Sequence, residues 1–245
     1  MTDQTTRAIA WPPRTIVVAV DFGEASARAV GIAGFIATAG SATLRVLHAE
    51  RFEVPPYFTP AQIERLDDER EEARAEVTTE LTRFVKTATA WPAAIAVEEG
   101  RPVDVILAAA ETADLVVLGT HGRRGPSRWW LGSVAERVVR GAAVPVLVTR
   151  ADTTVSPALF ARVVLVGDGA APGDEVRARV ESLTASLGGQ LIGSDTLEAC
   201  GAAALAGATL VAVVSPGQRS HWALSDIVTD TLGQCERPVL FMHPG

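Results

Sequence analysis

Two short runs of this chain echo one another. Ile16 to Asp21 (IVVAVD) and Val163 to Asp168 (VVLVGD) are both β-branched stretches that end on an aspartate. Further echoes keep the same order. Ala113 to His121 (ADLVVLGTH) returns as Ala208 to Pro216 (ATLVAVVSP), and Val144 to Leu147 (VPVL) returns as Arg237 to Leu240 (RPVL). Such self-similarity constrains the architecture before any local reading, because each copy is one structural unit. The two aspartates stand 147 residues apart and the closing prolines, Pro145 and Pro238, only 93, so the second copy is shorter by 54 residues.

Within the first copy, Thr15 to Val20 reads as a strand that ends at Asp21-Phe22-Gly23. Apolar residues then recur at helical spacing at Ala25, Ala29, Ile32, Ala33 and Ile36. Gly40 stands where a helix C′ glycine belongs, and Thr43 to Ala49 reads as a second strand. Thr59-Pro60 opens a long amphipathic helix with apolar positions at Ala73, Val77, Leu81, Phe84 and Ala88. Ala94 to Val97, Leu115 to Gly119 and Val146 to Thr149 follow as strands, separated by helices over Pro102 to Ala113 and Ser133 to Arg140. Strands alternating with helices predict a parallel, doubly wound α/β sheet. Ala151 to Pro157 carries no apolar period and reads as a linker. The second copy passes from Leu191-Ile192 almost directly to a helix over Leu197 to Leu205, so it lacks the long helix and third strand. The expected units are residues 12–150, complete, and 160–245, shortened.

Composition narrows the function classes. Apolar residues make up 48% of the chain with 5% aromatic, a core of small and branched side chains that suits helices lying close on a sheet. The formal charge of −7, from 22 Lys and Arg against 29 Asp and Glu, argues against nucleic acid or an anionic membrane as the main partner. Cys200 and Cys235 form no CxxC pair, so a disulfide scaffold or structural metal is not expected. No apolar leader region opens the chain, and Ala199 to Val214 is shorter than the roughly 20 residues of a membrane span. A cytoplasmic protein is the expectation.

The segment from Val117 to Val139 (VLGTHGRRGPSRWWLGSVAERVV) is chemically the most informative. It places Gly119, two residues, Gly122, nine residues and then Gly132-Ser133. Glycines at a strand end and before a helix let backbone approach a phosphate, and Ser133 would sit at a helix N-terminus that favours an anion. Arg123, Arg124 and Arg128 add positive charge. Each piece also has a plainer reading. Ser133 with Glu136 is a capping box, loop glycines are turn residues, the arginines form a solvated face, and Trp129 and Trp130 serve packing. Position favours the binding reading, because Asp21 and Gly119 end strands that flank the point where strand order reverses, and ligands bind there. Asp21 could accept hydrogen bonds from ribose hydroxyls or serve as a turn residue.

The spacing G-x2-G-x9-G-S, with VAVDFGEAS before it and VPVLVTR after it, resembles the ATP-binding branch of the universal stress protein family. The likeness covers Thr15 to Arg150 in full and Arg162 to His243 in shortened form. It implies two tandem doubly wound domains of the adenine nucleotide α-hydrolase-like kind, the second truncated. It also implies an ATP site, with Mg2+, in the first half. Val20 and Asp21 would meet the adenosine, and Ala49 would contact adenine through its backbone. Gly119, His121, Gly122, Arg123, Gly132, Ser133 and Val134 would surround the phosphates. His48 is read as a packed core histidine. The family's pairing through last strands implies that Val146 to Thr149 and Val239 to Met242 meet within one chain, while association of two chains stays open.

The second half departs from that pattern. Val214 stands in the place of Gly119, and Ser225-Asp226 replaces Gly132-Ser133, so no ATP is expected there and Asp168 reads as a turn residue. No catalytic set stands out, and any ATP hydrolysis is expected to be slow and incidental. The leading expectation is an adenine-nucleotide-binding regulatory protein of the stress response. A protein-interaction module that binds no nucleotide is the alternative. A nucleotidyltransferase or ATP pyrophosphatase would need an HxGH or SGGxD-like run after the first strand, and VDFGEAS is neither.

Overall fold

The structure, a computed structural model, describes residues 12–51, 60–120, 132–214 and 237–242. In chain order the elements are β1 Thr15–Ala19, α1 Glu24–Gly40, β2 Thr43–Glu50, α2 Pro60–Ala88, β3 Ala93–Glu99, α3 Pro102–Ala110, β4 Leu115–Thr120, α4 Ser133–Gly141 and β5 Val146–Arg150. A 3-10 turn at Pro157–Phe160 then leads to β6 Arg162–Gly167, α5 Asp174–Ser186, β7 Gln190–Thr196, α6 Leu197–Gly207, β8 Leu210–Val214 and β9 Val239–Met242.

All the described strands lie in one sheet, in the order β3-β2-β1-β4-β5-β9-β8-β6-β7. Every neighbouring pair is parallel except β5 with β9, which run antiparallel with Val146 opposite Phe241 and Val148 opposite Val239. The two closing strands of the sequence repeat therefore meet edge to edge within the chain. The order β9-β8-β6-β7 repeats β5-β4-β1-β2, and α6 follows directly on β7.

Strand alternation sends successive side chains to two helical layers. Ile16, Val18, Leu165 and Leu240 join the core beneath α1, α2 and α5, whereas Val17, Val116, Val166 and Phe241 join the core beneath α3, α4 and α6. Burying each such side chain contributes about 1.5–3 kcal/mol. Because both layers run through both halves, the antiparallel junction is cored like the rest of the sheet. Small residues on α1 allow close packing, with Val155 nesting over Gly31 and Thr89 over Gly34. The stretch read as a linker is thus packed against α1, and Arg28 Nε donates to the Ala151 carbonyl at 3.3 Å.

At the opposite end of the sheet from the loops that follow β1 and β4, buried Asp114 accepts from the backbone N–H groups of Arg14 and Thr15, each at 2.9 Å. This fixes where β1 begins beside β4. One helix end differs from expectation. Gly40 is the last residue of α1, and Ser41 takes the left-handed cap with φ 51°, its conformation closed by the Ala42 N–H donating to Ala37 O at 2.9 Å. A helix ends where the chain must turn back into β2, and a short polar residue can follow that turn in place of glycine.

Candidate functional site

Strand β1 lies between β2 and β4, so chain order reverses at its carboxyl end. A cavity of about 150 Å³ opens there, with apolar walls that include Leu47, Ala49, Pro102, Ile106, Leu118 and Val134. A cavity of about that size accepts a benzene-sized ring. Val20, Asp21, Ser26, His48, Gly119 and Ala135 complete much of its rim. Five sequence-derived candidates, Val20, Asp21, Ala49, Gly119 and, from the first turn of α4, Val134, are thus brought together.

The opening between β1 and β2 has a backbone cause. Their ladder runs to Ala19 opposite Leu47, and its last bond is Val20 N–H to Leu47 O at 2.9 Å. Parallel strands turn alternate residues toward the same neighbour. Ala49, two residues past Leu47, therefore faces the β1 side where β1 has already turned away. His48 Nδ1 meets the Val20 carbonyl at 2.7 Å. A carbonyl only accepts, so Nδ1 carries the proton. The His48 ring also lies 4.8 Å from that of Phe22, so His48 is packed, but half-buried on the cavity border rather than in the core.

Asp21 is committed to the turn that starts α1. Its Oδ1 accepts from Ser26 Oγ at 2.5 Å and from Gly23 N–H at 3.0 Å, and its own N–H donates to Ser26 Oγ at 3.2 Å. Phe22 between them has φ 62°. A left-handed conformation costs a residue with a β-carbon about 1–2 kcal/mol, and an aromatic there signals that surrounding contacts impose it. Sequence reasoning passed over Phe22. The signal available was its place between the strand-ending aspartate and Gly23.

Gly119 has a packing role that its motif does not suggest. A β-carbon there would fall 2.5 Å from the Ser26 nitrogen and 2.7 Å from the Ala25 oxygen. The glycine lets β4 meet the first turn of α1, and that turn in turn presents Asp21. Buried Thr149 on β5 reinforces the contact, donating from Oγ1 within reach of Ala25 O at 3.2 Å and Leu118 O at 3.3 Å.

At the start of α4 the capping box is not formed. Gly132 is the N-cap, Ser133 is the first helical residue, and Glu136 pairs with Arg140 at 2.8 Å. A capping-box serine must precede the helix, and here the chain enters one residue earlier. The Gly132 N–H donates to buried Thr120 Oγ1 at 3.0 Å, which anchors the helix end to the tip of β4. Thr120 was not among the expected site residues. A β-carbon on Gly132 would meet only that Oγ1, at 3.6 Å, among the described atoms. His121, Gly122 and Arg123, together with Arg124, Arg128, Trp129 and Trp130, lie outside the described residues.

The corresponding point of the second half is filled by its own chain. With Asp168 matched to Asp21, Gly167 takes the place of Val20, and its partner across the ladder is Val214 where the first half has Gly119. The Ala170 carbonyl occupies the space a Gly167 side chain would need. Asp168 is buried, and its N–H donates to Val214 O at 2.9 Å. Among the described residues, no group of three or more His, Cys, Asp or Glu is placed to hold a metal, and no helix is long and apolar enough to cross a membrane.

The profile of the Universal stress protein family matches residues 13–150. A universal stress protein of Thermus aquaticus is 36% identical over 144 residues, which cover 56% of this chain and 98% of that protein. A Mycobacterium tuberculosis universal stress protein is 33% identical over 147 residues, 57% of this chain but only 44% of the relative. The crystal structure of a universal stress protein from Archaeoglobus fulgidus superposes with a TM-score of 0.68 at 22% identity, covering 95% of this chain and 99% of that one. The overall fold is thus shared along nearly the whole chain, and the sequence match spans the half that carries the cavity. The chain belongs to the universal stress protein family.

Proposed function

We propose that the crevice between β1, β2 and β4 binds one adenine nucleotide per chain, ATP with Mg2+, and that the protein acts as a nucleotide-dependent regulator of a stress response rather than as an enzyme. The observation that carries the reading is the backbone of Ala49, turned toward the crevice past the last rung of the β1–β2 ladder. An N–H donor beside a C=O acceptor, set in apolar walls, complements a heteroaromatic edge that pairs a ring nitrogen with an amino group. Adenine has that edge, and guanine presents the reversed pair there. The fit of the cavity to a single ring system and the N-terminal turn of α4 next to it, which no side chain caps among the described residues, support the same ligand class.

Residues 160–245 are read as a shortened second copy without a nucleotide site, since Ala170 and Val214 fill the matching position. Ligand would bias the loop between Gly119 and Gly132 and so alter a surface that a partner or a second copy reads, to the extent of its differential affinity for the loop's states.

Calorimetric titration of protein freed of co-purified nucleotide tests this. ATP-Mg is expected to bind at one site per chain, GTP-Mg at least tenfold more weakly, and Ala49→Pro, which removes the N–H that faces the crevice and is first shown to be folded, to lose most of the affinity. No heat with ATP, AMP or adenosine would sink the reading and leave a nucleotide-independent interaction module.

A further inference from the structure

Phe22 is held by two rings from different elements. Its centroid lies 4.8 Å from His48 on β2, with a tilt of 52°, and 5.6 Å from Phe84 on α2, edge to face at 79°. Neither Phe22 nor Phe84 lines the cavity. The two residues that precede Phe22 do line it, as does His48. Val20, whose carbonyl takes the His48 Nδ1 proton, precedes the turn, and Asp21 shapes it. A left-handed aromatic residue needs its surroundings to impose the conformation, and glycine at the same position would adopt it without help. The contacts that impose it here run out of the crevice to the long helix.

We propose that Phe84, Phe22 and His48 form a positioning relay through which α2 sets the geometry of the crevice rim. Phe84 seats Phe22 in its left-handed turn. That seat holds the Asp21 carboxylate on Gly23 N–H and Ser26 Oγ, and keeps His48 donating to Val20 O, which leaves Ala49 facing the crevice. A shift of α2 would then change ligand affinity without touching ligand. The relay rests on the nucleotide reading only for its affinity consequence, since its geometric core can be measured in ligand-free protein.

The test compares the wild type with Phe22→Gly, Phe84→Ala and Phe84→Leu, each shown to be folded. Imidazole 15N spectra report the His48 tautomer, amide hydrogen exchange reports Gly23, and titration reports ATP-Mg affinity. Expected in ligand-free protein are loss of the fixed Nδ1–H tautomer in Phe22→Gly and Phe84→Ala and at least tenfold faster Gly23 exchange in Phe84→Ala, with Phe22→Gly, which takes the left-handed turn unaided, keeping its Gly23 protection and Phe84→Leu restoring most of both signals. ATP-Mg affinity should fall about tenfold in the first two and recover in the third. An unchanged tautomer and unchanged Gly23 protection in folded Phe84→Ala would overturn the relay, because filling a core alone requires neither to move. If the wild type binds no adenine nucleotide, the ligand-free signatures still decide the relay while the nucleotide reading fails separately.

Discussion

Gly119 of β4 and Ser26 of α1 approach so closely that a β-carbon on the glycine would lie 2.5 Å from the serine nitrogen. The same first turn of α1 supplies the hydroxyl that Asp21 accepts, so strand, helix and crevice rim share one contact. Gly119→Ala is expected to cost about 2–4 kcal/mol, since the obstructing atoms are backbone and must move. Gly132→Ser, at an uncrowded N-cap, should stay within about 0.5 kcal/mol of the wild type. Urea denaturation midpoints at constant slope separate the two outcomes; equal costs would show that the α1–β4 approach is not what Gly119 serves.

Under the proposed function Gly132 would also bear on ligand chemistry. Gly132→Val has room among the described atoms but adds a branched side chain at the helix start. Affinity for ATP-Mg should fall about tenfold, which is about 1.4 kcal/mol, while adenosine affinity stays within twofold. A parallel loss for both ligands would place the phosphates elsewhere.

Thr149 tests how the crevice is tied to the strand that joins the halves. Its hydroxyl is within hydrogen-bond distance of Ala25 O and Leu118 O in a buried position. Thr149→Val keeps the shape and removes the donor, at an expected cost of about 1–2 kcal/mol. Thr149→Ser should recover part of the loss, and thermal unfolding of the three proteins measures both.

Asp114 holds two backbone donors at the start of β1, and removing it leaves Arg14 and Thr15 N–H without that acceptor. Asp114→Ala should cost about 2–3 kcal/mol and Asp114→Asn about half of that, because one acceptor oxygen remains. Chemical denaturation with hydrogen exchange at Thr15 would show the loss at the β1 terminus first.

Cys200 offers a pH-dependent reporter. Burial pushes its thiol above the ordinary range, with the neighbouring Asp195 charge acting in the same direction. An acid whose pKa is raised on folding holds its proton more tightly in the native state, so its contribution to stability is present at lower pH and is lost as pH rises through the thiol range. In a Cys235→Ser protein, alkylation of Cys200 should lag a model thiol at pH 8 and approach it only at higher pH. Alkylation at the model rate at pH 8 would contradict that environment.

Much of the fold was legible because hydrophobic periodicity is a local signal. The β-branched runs at Ile16, Val116 and Val163 read as strands, and the 3.6-residue spacing from Ala25 to Ile36 read as a helix. The place of the crevice was legible too, since Asp21 and Gly119 both end strands. The roles within it were less so. The packing role of Gly119 was hidden because spacing cannot reveal that α1 passes 2.5 Å from its missing side chain. Ser133 and Glu136 looked like a capping box because the sequence does not say which residue enters the helix first.

By itself the sequence determined the alternation of strands and helices, the echoed strand runs, and the glycine frame, all of which depend on residues near one another in the chain. Only the tertiary structure decided what depends on distant segments meeting. Those are the antiparallel junction of β5 with β9, the exposure of Ala49 where β1 leaves β2, the left-handed turn imposed on Phe22 by rings from β2 and α2, and the Ala170 carbonyl that fills the space beside Gly167. Side chains far apart in sequence fix each of these, and a local pattern carries no record of which surface will be brought against it.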